Sequence, residues 1–525
     1  MTQGDSASLA NPAARSSSAM AMLPRIELMR ACYGGTEAMR QMTTRFLPKQ
    51  RRETDEDYQN RLNSTTAVNK LREAVDTASA KPFTNMIGLN GANEKLTGWM
   101  EDADLQGNHL HLVAREFFDE AILTGLSHLI VDYPTTEGLA NYAVQKASKI
   151  RPFMRGVKAE DMLAVYHERI GGVRTITHAR IASTKYEFNR ETFQEELWDI
   201  VFVLEPGLVQ RWKRKRGTVF GRPGFAYLGQ GGSILTPNPL PYRFEMVDPG
   251  IGGGWIFEGE RKVDLKRVPL VTMTAGDEES DGVVRPIFQD LAYKQIEHWQ
   301  SSSEQRVILS AARFPMLAAS GINLETEIDE DGRVVFEIGP NKILTTPDPQ
   351  GRWYFIECEG KSIEAGRKDI EALEMQMDML SLNPIISQPS KQYVAQNERS
   401  ITETRVNTVV RDLAITAKDA LHQAITLMGE WVGEDYSGVT LDMNFDFSGT
   451  DQKAKNIGSI IQAMAMKGLS RQGGLEELKR LNLLSDEFDI EAEVARKIED
   501  MAGDPPPPPA PKSERDFPGG KTRPN

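Results

Sequence analysis

From Pro286 to Val432 the chain reads as a long helix, a short β-rich insert, a second long helix, an irregular loop and a third, very long helix. Pro286 suits the first turn of a helix, and Pro315 stops the pattern after Arg313. "GRVVFEIG" and "GRWYFIEC" look like strands, with Asp329, Glu330, Asp331 and Gly332 as a turn before the first. Strands at 334–338 and 353–357 are expected to pair, within one chain or between chains. Ser362 is placed to cap the second helix. Its apolar positions Ile363, Ile370, Leu373, Met377 and Leu380, with Gly366, recur every three or four residues. That is one seam for packing on one neighbour, in the same chain or another. Asn383 and Pro384 end the helix, and Pro389 keeps the following stretch irregular. From Ile401 helical spacing runs through Val406, Val409, Val410, Leu413, Ala417, Leu421, Ile425 and Met428 to a Gly433 cap. A helix from Ile401 to Val432 would be about 48 Å long.

Composition narrows the classes. The two cysteines, Cys32 and Cys358, lie far apart, which argues against a disulfide scaffold or a thiolate metal site. The net charge is -13, where a groove-reading DNA binder would be basic. No apolar run approaches the ~20 residues of a membrane span. The longest candidate, Leu123 to Val131, is broken by Thr124, Gly125, Ser127 and His128. No signal segment is legible, so the chain is expected to fold in the cytoplasm.

Before Pro286 the pattern is mixed. Residues 1–22 are poor in large apolar side chains and read as flexible, with helix from about Leu23. Thr54 is an expected N-cap, with Asp57 three residues on, for a helix carrying Tyr58, Leu62 and Val68. Arg115 to Gly125 reads as a helix, and "LSHLIVDYP" as a buried strand. Strands dominate from Pro152 to Thr274, and Asp277 to Ser280 reads as an acidic loop. After "VTLDMNFDF", an expected strand, short helices follow, with Ser470 and Ser485 as candidate caps. Asp504 onward is Pro-rich and expected to be disordered or polyproline II.

No catalytic pattern emerges. There is no phosphate-cradling loop and no G-x-S-x-G elbow. His109 and His111 could share a strand face with Asp102 or Asp104, but solvated loop histidines are the simpler reading. His298 reads as a packing or interface residue. The basic run Arg211, Lys213, Arg214, Lys215 and Arg216 around Trp212 suits phosphate; a solvated hairpin end explains it more simply.

"LAYKQIEHWQSSSEQRVIL" (291–309) and "YFIECEGKSIEAGRKDIEALEMQM" (354–377) resemble the portal proteins of tailed double-stranded DNA phages. The resemblance implies an α+β, ring-forming subunit without catalytic activity, cofactor or metal. Its parts would be a flexible N-terminus (1–22), an α/β wing (23–285), stem helices (286–313 and 361–382) and a β-rich clip (314–360). A tunnel loop (383–400), a long wing helix and strand (401–450), a helical crown (451–503) and a Pro-rich tail (504–525) would follow. Such rings, commonly dodecamers, sit at one capsid vertex of the virion after assembly in the host cytoplasm. They carry viral double-stranded DNA in and out. Implied partners are the terminase large subunit, the major capsid or scaffolding protein and a head-tail adaptor, with no membrane. Lys391, Gln392 and Arg399 would face the DNA channel. Asp329, Glu330, Asp331, Arg333, Asp348 and Arg352 would meet partners at the clip. The alternatives are a cytoplasmic enzyme acting on nucleic acid or nucleotides, or another virion structural protein.

Overall fold

The computed structural model describes residues 11–134, 150–219, 254–313, 316–320, 327–328, 334–335, 350, 352–356, 360–381, 396–445, 447, 450–466, 469–480 and 489–503. The helices are α1 (Ser17–Gly34), α2 (Thr36–Gln41), α3 (Asp55–Ser64), α4 (Lys70–Ala80), α5 (Glu94–Met100), α6 (Leu110–Thr124), α7 (Gln289–Arg313), α8 (Gly360–Leu380), α9 (Gln396–Val432), α10 (Thr450–Ala465), α11 (Arg471–Arg480) and α12 (Ile490–Gly503). The strands are β1 (Gly88–Asn90), β2 (Leu126–Asp132), β3 (Phe153–Val157), β4 (Met162–Ile170), β5 (Val173–Asn189), β6 (Gln194–Glu205), β7 (Leu208–Val219), β8 (Ile256–Lys262), β9 (Leu270–Thr274), β10 (Gly276–Ser280), β11 (Val283–Pro286), β12 (Met316–Ser320), β13 (Glu327–Ile328), β14 (Val334–Val335), β15 (Arg352–Ile356) and β16 (Thr440–Asp442). Helix and sheet are mixed, as α+β requires. The chain divides at Phe445 into two compact units.

In the first unit, β2 is the centre of an antiparallel sheet ordered β3-β2-β9. Helices α6 and α9 both pack on it, which is why every residue from Leu126 to Val131 is buried, Ser127 and His128 included. Gly125 makes the turn into β2: it sits at φ +86, and its N–H caps α6 on the Ala121 carbonyl at 2.8 Å. A second antiparallel sheet runs β4-β5-β6-β7-β8 as a meander. Its core side buries Met162, Ala179, Ile181 and Leu204 against Ile130, Val268 and Leu270. Thr54 caps α3 as expected, its hydroxyl accepting from the Asp57 N–H at 3.1 Å.

Several expectations need correction. Residues 11–22 are ordered and packed: Ala13 is buried against Leu163, Ala182 and Val201, and α1 begins at Ser17. Their small side chains give up apolar area but allow close backbone approach, and Ser16 N–H bonds the Leu163 carbonyl at 2.9 Å. Val68 lies beyond the end of α3 and is exposed. The acidic stretch 277–280 is strand β10, paired with β11. Pro286 ends β11 opposite Gly276 instead of opening α7, since a strand's last residue can spare its N–H. Helix α8 starts at Gly360, so Ser362 lies inside its first turn. Within this chain β14 pairs with β13 and β15 with β12, not β14 with β15. Among the described residues of "VTLDMNFDF" only Thr440–Asp442 forms a strand, on β1.

The second unit holds α10, α11 and α12, each packed on the next. The Ser470 hydroxyl caps α11 through the Gly473 N–H at 3.0 Å. Asp489 caps α12 through the Ala492 N–H at 3.1 Å; Ser485 lies outside the described residues, as do 1–10 and the Pro-rich tail.

Candidate functional site

The candidate site is the helical pair α7–α8 with the short strands between them. The two helices are antiparallel, since Gln305 meets Ile363 while His298 meets Glu374. Helix α7 is rooted by polar side chains that its apolar stripe hides. The buried Gln295 amide accepts from the Leu71 N–H at 3.0 Å and donates to the Cys32 carbonyl at 2.9 Å. Gln300 donates to the Phe46 carbonyl at 2.8 Å, and Arg61, clamped by Glu53, reaches Ser303 at 3.3 Å. Trp299 is fully buried among them. Beyond Ser303 the helix emerges, with Val307 and Ile308 exposed.

Helix α8 is held by one seam. Leu373 and Met377 are buried, and Gln305 of α7 donates to the Ile363 carbonyl at 2.9 Å beside Gly366. A Cβ at Gly366 would run into the Gln305 amide, so the glycine permits that close approach. Lys70 ties the far end through Asp378 at 3.0 Å. The seam therefore packs within its own chain. His298 is buried in it, 3.3 Å from Glu374 and 3.4 Å from Ser302, as a packing residue. The buried glutamines were missed in the sequence; polar residues at 295 and 305 on the Leu291, His298 and Trp299 side were the available signal.

Of the expected channel and clip residues, few can be placed. Lys391, Gln392, Asp329, Glu330, Asp331, Arg333 and Asp348 lie outside the described residues. Arg399 falls in α9, which begins at Gln396, five residues before the expected Ile401, so it is helical backbone rather than loop. Arg352 opens β15 opposite Ser320 and is exposed.

The basic run is neither a hairpin end nor a free cationic patch. It lies along β7, between β6 and β8. Arg211 and Lys213 both pair with Glu258, at 2.9 and 3.0 Å. Lys215 pairs with Glu196 at 3.0 Å. Arg214 and Arg216 converge on the fully buried Asp199 at 3.0 and 2.7 Å. A bulge between Leu197 and Trp198 sets that register. Lys213 also lies 5.2 Å from the Trp198 ring and Arg214 4.7 Å from Trp255.

His109 caps α6 instead of lying on a strand, its ring nitrogen accepting from the His111 N–H at 3.0 Å. Asp102 and Asp104 accept from the backbone N–H groups of Gly107 and Gln106, in the turn that follows them. Among the described residues no cluster of His, Cys, Asp or Glu suits a metal, and no helix is long and apolar enough to cross a membrane. A cavity of about 300 Å³ opens beside β2 and β4, lined by Met22, His128, His167, Ile176 and Thr272. Burial, then the neighbouring His167, pushes His128 down to about 4, and its neutral ring bonds Thr272 at 2.9 Å.

Residues 287–432 match a family model described as Domain of unknown function (DUF4055). No curated protein matches the chain. Among solved structures it is similar to the neck of an empty GTA particle computed with C6 symmetry, at 11% identity and TM-score 0.39. It is also similar to the virion of a native gene transfer agent (GTA) particle, at 11% and 0.37, and to the neck of a native GTA particle computed with C12 symmetry, at 10% and 0.38. Each alignment covers 79% of this chain and 90% of the other. Likeness this low establishes neither fold nor function. The stretch whose wording resembles the portal proteins of tailed phages is nonetheless the stretch that a family model recognises as a unit.

Proposed function

We propose that this chain is the subunit of a phage portal, a closed ring at one capsid vertex through which double-stranded DNA is packaged and ejected. The observation that carries the reading is the rooted antiparallel pair α7–α8, with short strands at its outer end and a long third helix returning into the body. A conduit needs such a part: two helices projecting from a rigid frame, repeated about an axis. Charge supports it. The five cations of the strongest basic cluster are each engaged by one of three carboxylates of the chain itself, in a protein of net charge -13. A duplex meeting such walls slides, because each phosphate contact adds salt-sensitive grip. In this reading residues 314–360 dock terminase and later an adaptor, and Lys391 forms a positive girdle in the bore. The role is structural, not catalytic.

The test is native mass measurement with single-particle imaging. The expected result is a ring of about a dozen copies with a central hole, since heterologous contacts that close give a cyclic assembly. Monomers or dimers alone, even with capsid components present, would overturn the reading. Lys391→Glu should leave that ring intact and reduce genome retention in filled heads; normal retention would remove Lys391 from the mechanism.

A further inference from the structure

A cavity of about 300 Å³ opens where the two sheets meet α1. Its wall is mostly apolar, with Met22 of α1, Leu126 of β2, Met162 of β4, Ile176 of β5 and Leu270 of β9. Space of that volume would hold about ten waters, and an apolar cavity about half as large holds a benzene ring. Water ordered against such a wall finds few hydrogen-bond partners, so a molecule with apolar surface suits the space better. The polar groups are few. His128 interrupts the apolar sequence of β2, and its ring, 3% exposed, lies in the wall. Nδ1 is taken by the Thr272 hydroxyl at 2.9 Å, and Nε2 has no partner among the described residues. A buried ring nitrogen left in that state has given up a hydrogen bond that it made in water. The cavity beside it is the place for a partner.

Charge at the rim selects against ions. Arg174 is held by Glu278 at 3.4 Å and by Asp281, and His167 lies 3.4 Å from the same Asp281. An entering anion would meet a guanidinium already matched by two carboxylates. Among the described lining residues Glu278 is the one acid, and Arg174 already holds it, so a cation finds no free carboxylate inside. Burial lowers both imidazoles, with His167 adding to the effect on His128 and Arg174 to that on His167, so neither ring brings a charge at neutral pH. We propose that the cavity binds an uncharged, ring-sized molecule bearing one hydroxyl, a phenol or a cyclic alcohol, whose hydroxyl bonds Nε2 of His128 and whose ring fills the apolar space. A hydroxyl both donates and accepts, so it serves whichever tautomer the Thr272 bond imposes. Such a ligand touches α1 and both sheets at once, and it stabilises the body by mass action. The site is independent of the ring reading.

The test is a ligand-observed NMR titration of the full-length protein with three probes of similar size: phenol, toluene and benzoate. Phenol should bind at least about fivefold tighter than toluene, the worth of one net hydrogen bond, and benzoate should not bind. His128→Leu should bring phenol down to the toluene value. Ser18→Phe, which fills the cavity from α1, should keep its circular dichroism and lose both phenol and toluene. Equal affinities of phenol and toluene for the wild type overturn the proposal, because His128 then takes no part. Phenol binding that survives Ser18→Phe places the site elsewhere, benzoate binding best makes it an anion site, and phenol binding that never saturates is an adventitious additive only; each of these overturns it too. Where either variant fails to fold, the wild-type contrast between phenol and toluene decides alone.

Discussion

Helices α7 and α8 lie side by side, yet one is sunk into the body and the other stands largely in solvent. Helix α7 buries Leu291, Ala292, Gln295, His298, Trp299, Ser303 and Gln305. Helix α8 buries Leu373 and Met377, with Ser381 just beyond its end, and leaves Met375 and Met379 50% and 72% exposed. Within one chain, α7 belongs to the cooperative core while α8 is a single-seam helix that should open locally at low cost.

The largest expected effect tests the sunk helix. Trp299→Ala should cost about 3–5 kcal/mol, the cost of truncating a fully buried aromatic. It should appear as a lower Tm of the whole first unit; a loss confined to 289–313 in hydrogen exchange would break the comparison. Acid provides a second test of the body. His128 is held near 4, below its ordinary 6.5, because burial disfavours the imidazolium. Its contribution is therefore unchanged above pH 6.5, and stability falls as pH drops from 6.5 to 4, by up to about 3 kcal/mol. His128→Gln should flatten that part of the stability–pH curve, and matching slopes would show that another group is responsible.

The exposed helix should respond differently. Met377→Ala should weaken the α8 seam by about 2 kcal/mol. In the unassembled chain, exchange of amides 360–381 should rise while Tm hardly moves; a Tm loss as large as that of Trp299→Ala would show that both helices belong to one cooperative unit. Smallest is Gly366→Ala. The new methyl displaces the Gln305 amide from the Ile363 carbonyl, and helix propensity returns part of the loss, leaving about 1 kcal/mol. Faster exchange at 360–367 alone is expected, and a stabilised α8 would show that Gln305 moves aside freely.

Local features were legible because neighbours in sequence decide them. Thr54 could be read as a cap from its own turn, Gly125 and Gly433 as ends of helices, and 126–132 as a buried strand from its apolar run. The seam of α8 was legible as a period, and Leu373 and Met377 do lie in it. Of the expected channel and clip residues, only Arg352 has a described side chain, so the site was legible as an order of elements rather than as a set of contacts.

The sequence alone determined many of the helices, caps and strands, and that no familiar catalytic pattern is spelled out, because periodicity, caps and motif spacing act over a few residues. Tertiary structure decided the rest. Five cations within six residues look like a nucleic-acid grip until β6 and β8 bring Glu196, Asp199 and Glu258 beside them. Pro286 looks like a helix start until β10 claims it, and α8 looks equally fit for a neighbour in either chain until Gln305 reaches Ile363. In each case the deciding partner lies tens of residues away or on another element, and local periodicity carries no information about which distant group fills a buried donor, a charge or a seam.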